Sequence, residues 1–280
     1  LLSGVIETVV YESPVLQVLP FIEIVGNGLT YNRENAASAG FYEVGDTWSE
    51  STPTFTQVTA TLKILGGDAD VDNFLRATRS SQQDLEAAVV ELKAKAVQQK
   101  FDDTFINGDT GSNAKSFDGI DKLCAAGQTV PMGTNGATLT LEKLDELIDK
   151  VKPGKPDLLL LSKRSRRKLN SIARGTGSGI LEADRNQFGQ MVQYYDGIRL
   201  GVNEWISDEA EVGSNDDCST IYALQFGEGA LAGLTSPGGL QVERFGSLET
   251  KDASRVRVKW YASLALFNTL KLAKLTGVRD

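Results

Sequence analysis

The chain has 280 residues, 41% of them hydrophobic and 24% charged, which is ordinary globular usage and enough to bury a sizeable core. Its formal net charge of -8 disfavours a dedicated nucleic-acid binder, since the surface as a whole repels phosphate. The sequence contains no histidine, which removes Ser-His-Asp and Cys-His pairs, HExxH zinc sites and the commonest general base near neutral pH.

The opening Leu1-Leu2-Ser3-Gly4 is neither a signal peptide nor a Met initiator. No apolar run approaches the roughly 18 to 20 residues needed to span a bilayer. From Phe21 to Leu65 two strand-like arms flank a polar middle. Ile22 and Ile24 alternate at the start, and Val58, Ala60, Leu62 and Ile64 alternate at the end, with Thr59, Thr61 and Lys63 on the other face. The stretch from Glu34 to Thr52 is too long for a tight turn, and loops of that length usually bind something or stay disordered. Phe41, Tyr42, Val44 and Trp48 lie within it among Gly, Ser and Glu. Aromatic anchors of this kind serve either a neighbouring molecule or the loop's own domain, and the first is the reading taken here.

Asp68, Asp70 and Asp72 alternate as in a calcium loop, but Asn73 stands at the sixth position and Arg79 at the twelfth, where Gly and Glu are needed. A solvated acidic turn is expected instead. A helix is predicted over Ser80 to Ile106, with a capping box at Ser80 and Gln83 and an apolar stripe of Leu85, Val89, Leu92, Ala96, Val97, Phe101 and Phe105. It would be a rod on the order of 40 Å long. Asn107-Gly108-Asp109 ends it. Thr110 to Thr138, rich in Gly and Ser, is expected to mark a domain boundary and holds Phe117-Asp118-Gly119-Ile120.

An α/β pattern follows: helix Thr140 to Val151, loop Pro153-Gly154-Lys155-Pro156, buried strand Asp157 to Leu161, and helix Ser162 to Arg174 capped by Ser162 and stopped by Gly175. Strand-like segments come next around Val192 to Val202, Ile221 to Phe226 and Gly239 to Phe245. Finally Val256, Val258, Trp260, Ala262, Leu264 and Leu266 occupy even positions, with Arg255, Arg257 and Lys259 on odd ones, the mark of a long strand.

None of the remaining motifs carries chemistry. Gly175-Thr176-Gly177-Ser178-Gly179 follows a helix rather than a strand and lacks the Lys of a phosphate loop, so a flexible loop is expected. Lys163, Arg164, Arg166, Arg167 and Lys168 spread over more than one helical face, which suits a solvated or salt-bridged surface better than nucleic acid. The pairs Glu7 with Glu12 and Glu209 with Glu211 show no acid-and-base spacing. Cys124 and Cys218 stand far apart and read as buried thiols. No catalytic, cofactor or metal residue is assigned.

The order of elements resembles the HK97-like major capsid protein of tailed bacteriophages. Phe101-Asp102-Asp103-Thr104-Phe105-Ile106-Asn107-Gly108-Asp109 followed by Phe117-Asp118-Gly119-Ile120 is similar to the family's spine-helix end and entry into its A-domain. Asp157 to Arg167 is similar to the A-domain strand and helix, and Tyr195-Asp196-Gly197-Ile198-Arg199-Leu200 to a further strand, with Ile198 where Pro is commoner. Ile221 to Gly229 and Gly239-Leu240-Gln241-Val242 match two later family strands.

That resemblance implies an α+β HK97-like fold: an N-terminal arm over 1–29, an E-loop hairpin over 30–65, a P-domain over 66–115 and 246–280 with spine helix 80–106, and an α/β A-domain over 116–245. It implies self-assembly through pentamers and hexamers into an icosahedral virion capsid enclosing double-stranded DNA without sequence-specific contacts. Assembly would occur in the host cytoplasm, with scaffolding, portal and decoration proteins as further partners and no membrane. Phe41, Tyr42, Val44, Trp48 and Lys63 are the expected inter-subunit contacts. Lys63 is the only lysine of the E-loop, and no acceptor for a cross-link is identified. Two other readings stay open: an encapsulin-type compartment holding an enzyme, and a soluble α/β enzyme with the hairpin as lid.

Overall fold

The computed structural model describes residues 13–34, 39–48, 55–79, 85–176, 179, 181–185 and 191–279. The expected capping box at Ser80 and Gln83 lies outside these. In chain order the first elements are β1 (Phe21–Glu23), β2 (Gly28–Glu34), β3 (Phe55–Thr61), β4 (Lys63–Asp72), α1 (Asn73–Arg79) and the long α2 (Leu85–Asn107). The middle of the chain holds α3 (Ile120–Leu123), β5 (Thr129–Pro131), β6 (Ala137–Thr138), α4 (Leu141–Lys150), β7 (Leu158–Leu161), α5 (Lys163–Thr176), β8 (Leu181–Arg185), β9 (Met191–Tyr195) and β10 (Ile198–Val202). It ends with β11 (Ala210–Val212), β12 (Asn215–Leu224), β13 (Leu231–Thr235), β14 (Gln241–Ser247), β15 (Ala253–Leu266) and β16 (Leu272–Arg279).

Two sheets make the body. β15 is the spine of the first, which runs β1-β13-β15-β14 with β4 also on β15. Its even side chains from Val256 to Leu266 are all buried, as the alternation requires when one face of a strand meets a core. On that core sits α2, where the Phe101 ring stacks on Trp260 at 4.9 Å between centroids. The buried stripe of α2 is Val90, Ala94, Val97, Phe101 and Phe105, one residue round from the predicted stripe in its first half. Leu92 is 67% exposed. The winning face is set by where the sheet lies, and Val90 is apolar enough to serve it.

The second sheet runs β5-β16-β12-β7-β10-β9-β8. All four leucines of β7 are buried; Leu158 and Leu160 join the core beneath α2, while Leu159 and Leu161 join a second core with Leu144, Leu147 and Leu169 of α4 and α5. A strand covered on both faces must be apolar throughout. Ser162 caps α5 as expected, its Oγ accepting from Ser165 N at 3.1 Å, and Thr140, expected as the first residue of α4, caps it instead, its Oγ1 accepting from Lys143 N at 3.4 Å. Gly175 lies inside α5, which continues to Thr176.

Other expectations need correcting. Residues 272–279 were placed with the final strand's domain, yet β16 pairs antiparallel with β12 in the second sheet. Conversely β13 and β14, placed with the α/β unit, flank β15 in the first. The chain changes sheets twice in its last third, a non-local choice that contiguous segmentation misses. Asp68, Asp70 and Asp72 form no turn; they lie on β4, where Asp68 and Asp70 take forked hydrogen bonds from Arg257 (2.6 and 2.8 Å) and Arg255 (2.7 and 3.0 Å). These arginine bonds hold both carboxyls below the usual carboxylate range. Cys218 is buried, but Cys124 is only half-buried.

Candidate assembly surface

β2 and β3 pair antiparallel from Gly28 opposite Thr61 to Glu34 opposite Phe55, and no third strand joins them among the described residues. A lone two-stranded ribbon is marginal in water, so its base is held to the body. Leu29, Tyr31, Ala60 and Leu62 pack with Ile24 and Phe267. The carbonyl of Leu266 accepts from Tyr31 Oη at 2.9 Å and Arg33 Nε at 3.2 Å. The Tyr31 ring lies 4.8 Å from that of Phe267. Burial is the largest influence on the Tyr31 phenol and pushes its pKa up.

Away from this clamp the ribbon has no floor. Phe55 is 65% exposed, Trp48 76%, and Phe41 and Val44 are fully exposed. The tip is nonetheless built: Tyr42 stacks on Trp48 at 4.4 Å, and Glu43 N donates to Asp46 Oδ2 at 2.7 Å across a turn that needs Gly45 at φ 99°. A local turn thus presents Phe41, Val44 and the outer face of Trp48 together. Exposed apolar groups grouped in this way mark interaction surfaces. Of the five expected contact residues these three are free of the body. Tyr42 is half-buried under its stacking partner, and Lys63 donates from Nζ to the Ala114 carbonyl of its own chain at 2.8 Å.

The long helix α2 is fixed near its C-terminal end. Gly119 N donates to Gly108 O at 2.8 Å, and a Cβ on Gly119 would stand 2.6 Å from the carbonyl oxygens of Thr104 and Ile106. Both glycines permit a backbone crossing that any side chain would block, which explains the Asn107-Gly108 and Asp118-Gly119 pattern physically. Beside it Asp109 meets Lys122, whose hydrogen bond is the main reason its pKa falls to about 2. Further along α2, Ser13 Oγ donates to the buried Asp102 Oδ1 at 2.7 Å and ties the N-terminal segment to the rod. Burial raises the Asp102 carboxyl to about 6. Sequence reasoning missed this latch, because a single Asp among three apolar positions gives no sign of its partner.

Basic residues of α5 behave as a salt-bridged face: Lys163 pairs with Glu204 and Arg164 Nε lies 3.6 Å from Asp208. Tyr195 donates to Asp145 at 2.7 Å, which together with burial raises its phenol.

A two-sheet body, one long helix across the first sheet and a projecting ribbon with an apolar tip define the HK97-like shell fold. The phage capsid family matches residues 1–264, and the chain belongs to that family of shell-forming structural proteins. Among solved structures it is similar to the SrpI encapsulin from Synechococcus elongatus PCC 7942, with a TM-score of 0.74 and 18% identity over 94% of this chain and 86% of that one. Microbacterium phage Oxtober96 gives a TM-score of 0.68 and 15% identity, covering 96% and 91% of the two chains. The capsid of a native GTA particle gives 0.66 and 14%, covering 95% and 90%. No curated protein matches the chain by sequence.

Proposed function

We propose that this chain is a major capsid protein whose copies close an icosahedral shell around double-stranded DNA, with residues 30–64 laid across a neighbouring subunit. The observation that carries this is the built but exposed tip, where Phe41, Val44 and Trp48 face outward among the described residues. Pentamers and hexamers of such contacts gain stability collectively, since each ribbon is both donor and recipient in a closed ring. Asp68, Asp70, Arg255 and Arg257 supply a self-neutralised outer face on β4 and β15. The net charge of -8 fits DNA that is confined rather than gripped. Scaffolding, portal and decoration proteins are the expected further partners, and assembly is placed in the host cytoplasm before the shell becomes the virion capsid.

The likeness to the SrpI encapsulin favours a second reading, a shell that holds a protein cargo. Electron microscopy and light scattering of purified protein test the shell itself: closed particles are expected, and a compact monomer at high concentration, even with scaffold and protease supplied, overturns it. Nuclease-protected DNA in particles from infected or induced cells supports the capsid reading. A stoichiometric enclosed protein in its place supports the compartment.

A further inference from the structure

β9 and β10 are neighbours in the second sheet, but they pair across only at Tyr195 with Ile198 and Tyr194 with Arg199. Beyond that point they splay. Residues 191–193 stay paired to β8 on their far side and 200–202 to β7 on theirs, so among the described residues each presents an open edge to the gap. The gap is a cavity of about 530 Å³, within the usual range for a ligand site. Among the described residues its lining includes Arg199, Arg166, Gln17 and Gln193 and no carboxylate, in a chain where acids outnumber bases.

Arg199 carries the argument. Its Nη2 donates to Gln17 Oε1 at 2.7 Å, whereas its Nε is buried with no partner among the described residues. A buried guanidinium donor left unpaired is costly, and a forked carboxylate satisfies it best. Arg166 is exposed on α5 and lines the same cavity. Two open strand edges offer main-chain hydrogen bonds to an extended segment, with Val192 and Leu200 beside them as apolar contacts.

We propose that this cleft binds a short extended peptide, whose main chain runs along the open edge of β10 and whose carboxylate meets Arg199 and Arg166. Among the described lining residues the cations are Arg199 and Arg166, and of the neighbouring basic residues of α5 Lys163 and Arg164 pair with Glu204 and Asp208, which breaks up the continuous basic stripe that tracks a nucleic-acid backbone. Binding is expected of dispersed subunits whether or not they assemble.

The test is a fluorescence-anisotropy titration with a labelled pentapeptide alternating Val and Glu and ending in a free carboxylate. Saturable binding is expected, weakened about tenfold or more by Arg199→Gln and by Arg166→Gln, and similarly when Gln replaces Glu and the end is amidated. Amide exchange at 191–193 and 200–202 should slow on binding. Arg166 is exposed, so its variant tests the site even if Arg199→Gln fails to fold. No saturable binding to the wild type, or affinity unchanged in Arg166→Gln, overturns the proposal. So does a single-stranded oligonucleotide that displaces the peptide and binds more tightly, which would assign the arginines to phosphate.

Discussion

β15 and the β2–β3 ribbon are both alternating strands, yet they end in opposite environments. In β15 the even side chains reach α2 and the N-terminal segment, and Trp260 Nε1 finds Thr235 Oγ1 at 3.0 Å. The odd arginines meet Asp68 and Asp70 across the strand pair. The even apolar side chains from Val256 to Leu266 and the two arginines of that strand thus find their partners within one chain. Among the described residues the ribbon is held at its base, where Tyr31 and Arg33 grip Leu266, while Phe41, Val44, Trp48 and Phe55 are exposed. Folding therefore explains β15, whereas the tip is the surface proposed for association.

Breaking the body should cost the most. Phe101→Ala removes a ring that touches Phe21, Phe105, Phe117 and Trp260. It should lower unfolding free energy by about 3–5 kcal/mol in a urea titration of dispersed subunits. Asp102 comes next. Burial holds its carboxyl at about 6 against an ordinary 3.8, so the folded chain keeps that proton more tightly than the unfolded chain does. Its contribution to stability is full below about pH 4 and is lost as pH rises through about 6. Relative to Asp102→Asn, the wild type should therefore lose up to about 3 kcal/mol between those limits and change little above them.

The outer face should respond weakly. Arg257→Gln breaks a forked pair in a half-exposed setting, so a small fall in Tm is expected, and the difference should shrink when salt is raised to about 1 M. At the tip the effect on folding should nearly vanish. Phe41→Ser with Trp48→Ser should leave the unfolding free energy of dispersed subunits, from a urea titration, within about 0.5 kcal/mol of wild type, while sedimentation shows particle formation weakened or lost. A loss of folding in that double variant would erase the contrast between ribbon and body, because the two rings would then be core.

Local patterns revealed much of the body. The alternation of β15, the four leucines of β7 and the cap at Ser162 each depend on neighbours a few residues away, and all three stand in the structure. β4 failed to show itself because its acids look like a turn until Arg255 and Arg257, more than 180 residues on, neutralise them. The stripe of α2 slipped for a related reason: Val89, Val90 and Leu92 offer competing faces, and only the position of the sheet chooses between them. Lys63 was read as a projecting contact, yet a carbonyl 51 residues away holds its ammonium.

By itself the sequence determined where polarity alternates, where helices begin and which loop carries aromatic groups without an obvious floor, since these are properties of short windows. Tertiary structure decided which sheet each strand joined, which carboxylates found arginines, and that β9 and β10 part to leave a cleft. Those outcomes rest on contacts between residues far apart in the chain, whose energy depends on the meeting of two surfaces and is written in neither segment alone.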